Sequence, residues 1–114
     1  MREGGVEYRC SVRAELRIEG YGTAMLINSY GTPSAVLAAS WLRGQAAWCA
    51  GQLGSEDPSG RQLAAWLRDD ATQWELFTAL MAGESVPVRV GRGGTTVLLH
   101  AGSHSLTTVK ENGQ

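Results

Sequence analysis

Apolar and polar residues alternate without exception from Val6 to Glu19. In this stretch every even-numbered residue is apolar and every odd-numbered residue is polar. Because successive side chains of a strand point to opposite faces, the pattern predicts one long β-strand with a buried face and a solvated face. The rest of the chain must then supply the cover for the buried face.

A second strand is predicted immediately after the first. Gly20-Tyr21-Gly22 reads as the turn that ends the first strand, and Thr23 to Tyr30 then carries an apolar run. A connection this short cannot hold a parallel crossover, so the two strands are expected to form an antiparallel hairpin.

The middle of the chain predicts helices. Thr32 can cap a helix and Pro33 suits its first position. A stripe at helical spacing follows, formed by Leu37, Trp41, Gly44, Trp48 and Gly51, and the opposite side is also apolar, with Ala35, Ala39, Leu42, Ala46 and Ala50. A helix that is apolar nearly all round is usually covered on more than one side. We therefore expect it to lie between the sheet and something else.

A polar loop from Gly54 to Gly60 precedes the next helical region. Two starts are open for that region: Ser59 with Gln62 as a capping box, or Asp57-Pro58. Its predicted apolar face carries Leu63, Leu67, Trp74, Phe77 and Met81, and Asp70 falls on the same face. Asp70 is either a functional buried carboxylate or, with Gln73, a second capping box that divides the region into two helices. The cap is the preferred interpretation because it needs no buried charge.

The last third of the chain returns to strand patterns. Val86 to Val90 and Thr95 to Ala101 flank a Gly91–Gly94 turn, Gly102-Ser103 suggests another turn, and Leu106 to Lys110 suggests a final strand. Pro87 places the first of these strands at a sheet edge or at a strand start.

These elements together predict a two-layer α+β fold. We expect an antiparallel sheet of about five strands, in the order ββ-αα(α)-βββ, covered on one face by two or three helices. The 114 residues suffice for a single domain spanning 1–114 without metal or disulfide staples. Residues 1–5 and 111–114 are expected to be frayed.

Composition narrows the functional classes. A net charge of −1 is unlike that of a general nucleic-acid binder or an acidic DNA mimic. Cys10 and Cys49 are expected to be buried thiols rather than a disulfide framework. The start of the chain has no signal-peptide pattern and no stretch resembles a membrane span, so a cytoplasmic protein is expected.

No catalytic residue, metal site or cofactor is predicted. His100 and His104 flank a predicted turn, where a four-residue spacing does not bring two ligands together as it would on a helix. The Gly91–Gly94 turn lacks the Lys-Ser/Thr of a nucleotide loop and precedes a strand, so hairpin glycines explain it. A nucleophile elbow is also missing.

The preferred functional hypothesis is a non-catalytic protein-binding module. All four tryptophans fall in the helical segment, Arg89 and Arg92 lie near the hairpin tip, and Trp and Arg are enriched among interface hot spots. Such a module would act as a small inhibitor, adaptor or immunity-type protein on a larger protein partner, with homo-oligomer formation as a further expectation. The predicted partner-binding residues are Trp41, Trp48, Trp66, Trp74, Arg89 and Arg92.

Two alternatives stay open. The first is a small-ligand-binding domain or small enzyme whose pocket lies between sheet and helices and is lined by Asp70, His100 or Cys49. The second, less favoured, is weak nucleic-acid binding through the Arg-tipped hairpin, which modest salt would abolish.

Overall fold

The computed structural model describes residues 6–18, 20–92 and 95–105, without the side chains of Ile18, Arg92 and Ser105. Within these residues four strands and three helices follow one another along the chain. They are β1 (Val6–Ile18), β2 (Tyr21–Thr32), α1 (Ala35–Leu53), α2 (Pro58–Arg68), α3 (Asp70–Met81), β3 (Val86–Arg92) and β4 (Thr95–Ser105).

The strands form one antiparallel sheet in the order β2-β1-β4-β3. β1 and β4 are the central strands, whereas β2 and β3 are the edges. The α+β class, the antiparallel β1–β2 hairpin and the edge position of Pro87 are therefore confirmed.

The alternation in β1 divides the sheet into an inner and an outer face. Tyr8, Cys10 and Val12 are buried on the inner face, and their partners on β4 include the buried Leu99 and Ala101. The helices lie on this face, since their buried residues join those of the sheet in one core. The outer face carries Glu7, Arg9 and the other odd-numbered residues of β1, and none of the three described helices covers it.

α1 turns its small side chains toward the sheet. Its buried residues are Ala35, Ala38, Ala39, Leu42, Ala46 and Cys49. Small side chains let the helix backbone approach the strands closely, and Leu42 fills the remaining space with no exposed surface. The stripe that begins at Leu37 points away from the sheet instead, and Leu37 and Trp48 are each about half exposed.

The boundaries of β2 and α1 differ from the prediction. Tyr21 and Gly22 belong to the strand rather than to a turn, because both pair with β1. α1 begins at Ala35 rather than at Pro33, since the Ser34 hydroxyl accepts the hydrogen bond from Leu37 N–H at 3.2 Å. The Thr32 hydroxyl accepts one from Ser34 N–H, so it braces the turn before the helix.

The predicted turn at Gly102-Ser103 is wrong. β4 continues through both residues to Ser105 and stays paired with β1, because the long first strand offers backbone partners as far as Val6. The predicted fifth strand, Leu106 to Lys110, and the tails expected to be frayed lie outside the described residues.

α2 and α3 are separate helices, and the break between them changes which residues are buried. Asp57 caps α2 and Pro58 is its first residue, which confirms the Asp57-Pro58 start rather than the Ser59–Gln62 capping box. In α3 the buried residues are Leu76 and Leu80, while Trp74 and Met81 are exposed. Of the predicted face, Leu63, Leu67 and Phe77 pack in or against the core, but Trp74 and Met81 do not, because the break at Asp69 shifts the helical phase.

Leu42 and Leu37 test this packing as a matched pair on one helix. Leu42→Ala should lower the free energy of unfolding by about 2–5 kcal/mol, because it leaves a cavity beneath α1. Leu37→Ala, on the exposed stripe, should change it by less than about 1 kcal/mol. Urea denaturation measures both, and equal losses would contradict the assigned orientation of α1.

Candidate functional site

Most of the exposed large apolar side chains among the described residues lie on β2 and α1. We call this surface the β2 margin. It comprises Tyr21, Met25, Leu26 and Ile27 of β2 with Leu37 and Trp48 of α1. Tyr21 is 82% exposed and Met25 57%, so the surface is open in the isolated chain.

β2 is an edge strand without a single charged residue in its twelve positions. β1, by contrast, carries five charged residues in thirteen positions. One edge of β2 pairs with β1, and no strand among residues 6–18, 20–92 and 95–105 pairs with its other edge. Proteins usually protect such an edge with charge, proline or short length, because a bare edge recruits another strand.

The opposite edge of the sheet has that protection. β3 has seven residues and includes Pro87, which lacks a backbone donor, and the charged Arg89. Gly91 has a φ of 155°, and a Cβ there would overlap the Thr95 carbonyl oxygen. The backbones of β3 and β4 therefore approach each other closely at this position of the hairpin. The two edges of one sheet therefore differ in how open they are to pairing.

A β-bulge at Ile27 divides β2 into two straight runs. Val12 pairs with Asn28 but Arg13 pairs with Leu26, which leaves Ile27 as the extra residue. The extra residue reverses the alternation, so that Met25 and Asn28 both lie on the inner face. Leu26 lies on the outer face as the partner of Arg13.

α1 is held against β2 by two contacts. The Tyr30 and Trp41 rings stack with centroids 5.6 Å apart, and Asn28 Nδ2 donates to Gln45 Oε1 at 3.4 Å. These contacts fix the level of the helix along the strand. Trp48 lies about one turn beyond Gln45, and Met25 lies beyond Asn28 in the same direction, so Trp48 and Met25 are at the same level of the molecule.

The structure does not bring the predicted partner-binding residues together. Trp48 belongs to the β2 margin, whereas Trp41 is partly buried and stacks on Tyr30. Trp66 is partly buried against the core, and its carbonyl oxygen accepts from Gln73 Nε2 at 2.7 Å. Trp74 is 65% exposed on α3, with the Phe77 ring centroid 6.1 Å away.

Arg89 lies on the outer face of the sheet, not on a free positive knob. Its Nη1 is 3.0 Å from Glu15 Oε1, and both residues line a cleft of about 500 Å³ with Arg17 and Thr96. Arg92 ends β3, and its side chain lies outside the described residues. The Glu15 carboxylate neutralises the Arg89 charge, which weakens the hypothesis of a nucleic-acid contact at this hairpin.

The residues suggested for a pocket or enzyme are dispersed. Cys49 is buried on the sheet-facing side of α1, and burial raises the pKa of its thiol. Burial likewise raises the pKa of Cys10 to about 11, which disfavours the nucleophilic thiolate. His100 lies opposite Ser11 on the outer face, so the sheet separates it from Cys49. Asp70 is exposed at the first position of α3.

A cleft does open between the sheet and the helices. It has a volume of about 440 Å³ and is lined by Leu53, Asp57, Pro58, Ser59, Val90, Gly91, Thr95 and Val97. Asp70, His100 and Cys49 are not among its lining residues. Its carboxylate, Asp57, accepts from Ser59 N–H at 2.7 Å and so caps α2.

Among the described residues, no group of three or more His, Cys, Asp and Glu side chains is arranged to hold a metal ion. No helix in this part of the chain is long and apolar enough to cross a membrane.

Sequence reasoning singled out the apolar surplus of α1 but missed the β2 margin. The signal was present in the sequence, since the run from Tyr21 to Thr32 contains no charged residue. It could be interpreted only after the strand order placed β2 at an edge, because a central strand of the same composition would be paired along both edges.

The capping box predicted from Asp70 and Gln73 is wrong, because Asp69 caps α3 and the Gln73 side chain donates to the Trp66 carbonyl oxygen instead. The Asp69 carboxylate accepts from the Thr72 hydroxyl at 2.8 Å and from the Ala71 and Thr72 backbone N–H groups. These bonds, the one from the Thr72 hydroxyl first, lower the pKa of Asp69 below its ordinary 3.8. The ionised cap therefore stabilises the fold fully above that value, and its contribution is lost as the pH falls through the lowered pKa.

Asp69→Asn should remove this part of the acid dependence, since an amide oxygen caps a helix without titrating. The thermal midpoint, followed by circular dichroism over the acid range, should then fall less steeply than in the wild type. Asp70→Asn is the matched control and should keep the wild-type profile. Identical profiles for the two variants would contradict the assignment of the cap to Asp69.

A search of known protein families, curated proteins and solved structures found no match to this chain. The functional assignment therefore rests on the residues and geometry of the chain itself.

Proposed function

We propose that this protein is a non-catalytic protein-binding module that docks through the β2 margin. The observation that carries the proposal is the edge strand itself. Twelve uncharged residues with four exposed large apolar side chains lie beside the exposed Trp48 and Leu37 of α1.

Burial of this surface would supply substantial free energy. Full burial of one large apolar side chain contributes about 1.5–3 kcal/mol, and the β2 margin offers several that are already half or more exposed. A partner strand would add backbone hydrogen bonds along the free edge. The exposed Arg89–Glu15 pair on the outer face, by comparison, is worth only about 0–1 kcal/mol.

The dispersal of the candidate chemical groups supports binding over catalysis. A nucleophile needs a base within hydrogen-bonding reach, yet the sheet lies between Cys49 and His100. Inhibitors, adaptors and immunity-type proteins all work by occupying a partner's surface. The docking surface of such a protein would be the β2 margin rather than the surface around Trp74 or Arg89.

Trp48 and Trp74 provide a matched test of this location. Both are exposed tryptophans on helices, but only Trp48 belongs to the β2 margin. Trp48→Lys should weaken binding at least tenfold, because it puts a charge where an apolar contact is expected. Trp74→Lys should leave binding unchanged.

Affinity capture from lysate of the native host, quantified by mass spectrometry for both variants and the wild type, measures the difference. Proteins retained by the wild type and by Trp74→Lys but lost by Trp48→Lys would support the proposal. Equal recovery by all three baits, or selective loss with Trp74→Lys, would refute it.

A further inference from the structure

We infer that the outer face of the sheet binds the phosphate group of a small ligand in a depression centred on Ser11. The depression has a volume of about 390 Å³, and its lining includes two arginines and two histidines, Arg9, Arg13, His100 and His104, but no carboxylate. The inference goes beyond the proposed function because it concerns a different face of the sheet. Only Leu26 belongs to both surfaces.

Strand pairing places Ser11 between the cationic side chains. On β1 it lies between Arg9 and Arg13, and residues two positions apart on a strand are about 7 Å from each other. All three side chains point to the outer face. On β4, His100 is directly opposite Ser11. A long arginine side chain can span this distance, so both guanidinium groups and the imidazole can meet one ligand above the Ser11 hydroxyl.

Gly102 makes room for the imidazole of His100. It is the β4 partner of Arg9 and lies two residues beyond His100. A Cβ on Gly102 would stand 3.2 Å from His100 Cε1 and 3.0 Å from Ser85 Cβ, closer than ordinary van der Waals contact. The imidazole therefore lies over the Gly102 backbone, on the side of the depression nearer Arg9.

The depression keeps positive charge because the carboxylates of the outer face are held elsewhere. Among the described residues of the four strands, these carboxylates are Glu7 and Glu15. Glu15 pairs with Arg89 at 3.0 Å, and Glu7 pairs with Arg9 Nε at 3.3 Å. Arg13 has no ion pair in the described part of the chain, so its charge is available to a ligand.

The Glu7 carboxylate lies outside the depression. A Cβ on Gly31 would stand 2.7 Å from Glu7 Oε2, so the carboxylate lies over Gly31 on the β2 side of β1. His100 and His104 are on the other side, on β4. Glu7 accepts only from Nε of Arg9, which leaves the two Nη groups of that guanidinium for an anion.

Phosphate suits this set of donors. A guanidinium group presents its N–H groups as a fork that matches two phosphate oxygens, and charge-assisted hydrogen bonds of this kind are the strong ones. Imidazole and hydroxyl groups supply further donors. The volume of the depression falls in the range of small-molecule sites and leaves room for an organic group beside the phosphate. Free phosphate and a phosphate monoester share this chemistry.

A nucleic acid is the less favoured source of the phosphate. Proteins that bind single strands stack the bases on aromatic side chains. The tyrosines of the described strands, Tyr8, Tyr21 and Tyr30, lie at inner-face positions or pair with them, and these strands contain no Phe or Trp. The outer face thus offers contacts for phosphate without a platform for bases.

Arg13→Gln tests the site, with Arg43→Gln as its matched control. Arg43 is an exposed arginine of α1, which lies on the inner side of the sheet. Inorganic phosphate and phenyl phosphate are titrated separately into the isotope-labelled full chain at constant ionic strength, and the backbone amide signals are followed by NMR. The signals of Ser11 and His100 should shift to saturation in the wild type.

Arg13→Gln should weaken this binding at least fivefold because it removes one charged donor. His100→Gln, on the neighbouring strand, should weaken it in the same direction, whereas Arg43→Gln should leave it unchanged. Circular dichroism of each variant separates lost binding from unfolding.

Each outcome of the titrations decides for or against the site. Tighter binding of phenyl phosphate would identify a monoester as the ligand, and tighter binding of inorganic phosphate the free ion; both support the inference. Shifts that grow without saturation, or equal weakening by Arg13→Gln and Arg43→Gln, would overturn it. Binding of a thymidine oligonucleotide without binding of either small ligand would also overturn it. Capture of a protein partner, which Trp48→Lys tests, is independent of these results.

Discussion

The fold depends on burial of the inner face of β1. This strand lies in the interior of the sheet, paired with β2 on one side and β4 on the other, and its even-numbered residues face the helices. Val12 has no exposed surface. A shift of one residue in its register would turn Arg9 and Arg13 into the core, so the alternation fixes both the pairing and the side on which the helices lie.

Burial of the inner face of β1 also explains why the large apolar residues of α1 lie on the surface. Only one side of α1 covers the inner face, and it is the alanine-rich side because small side chains allow close packing. The larger residues of α1 are left on the surface at the β2 side of the molecule. There they adjoin an edge strand that is equally apolar, so one binding event could cover both.

The sequence predicted the long first strand, the antiparallel hairpin and the separation of α2 from α3 because each depends on local pattern or capping chemistry. It misplaced the buried face of α3, because one residue outside the helical conformation shifts the phase of everything after it. The sequence did not predict the continuation of β4 through Gly102, because the length of β4 depends on its pairing with β1, which is distant along the chain. The β2 margin required the strand order, which depends on pairing between β1 and β4 across the whole chain.

Amide hydrogen exchange along β2 tests the central claim, that this edge binds another chain, most directly. The outward-facing amides of β2 should exchange fast in the isolated protein and gain protection when the native partner is bound, while the amides of β1 stay protected throughout. Fast exchange of the outward-facing β2 amides in the presence of the captured partner would contradict the claim.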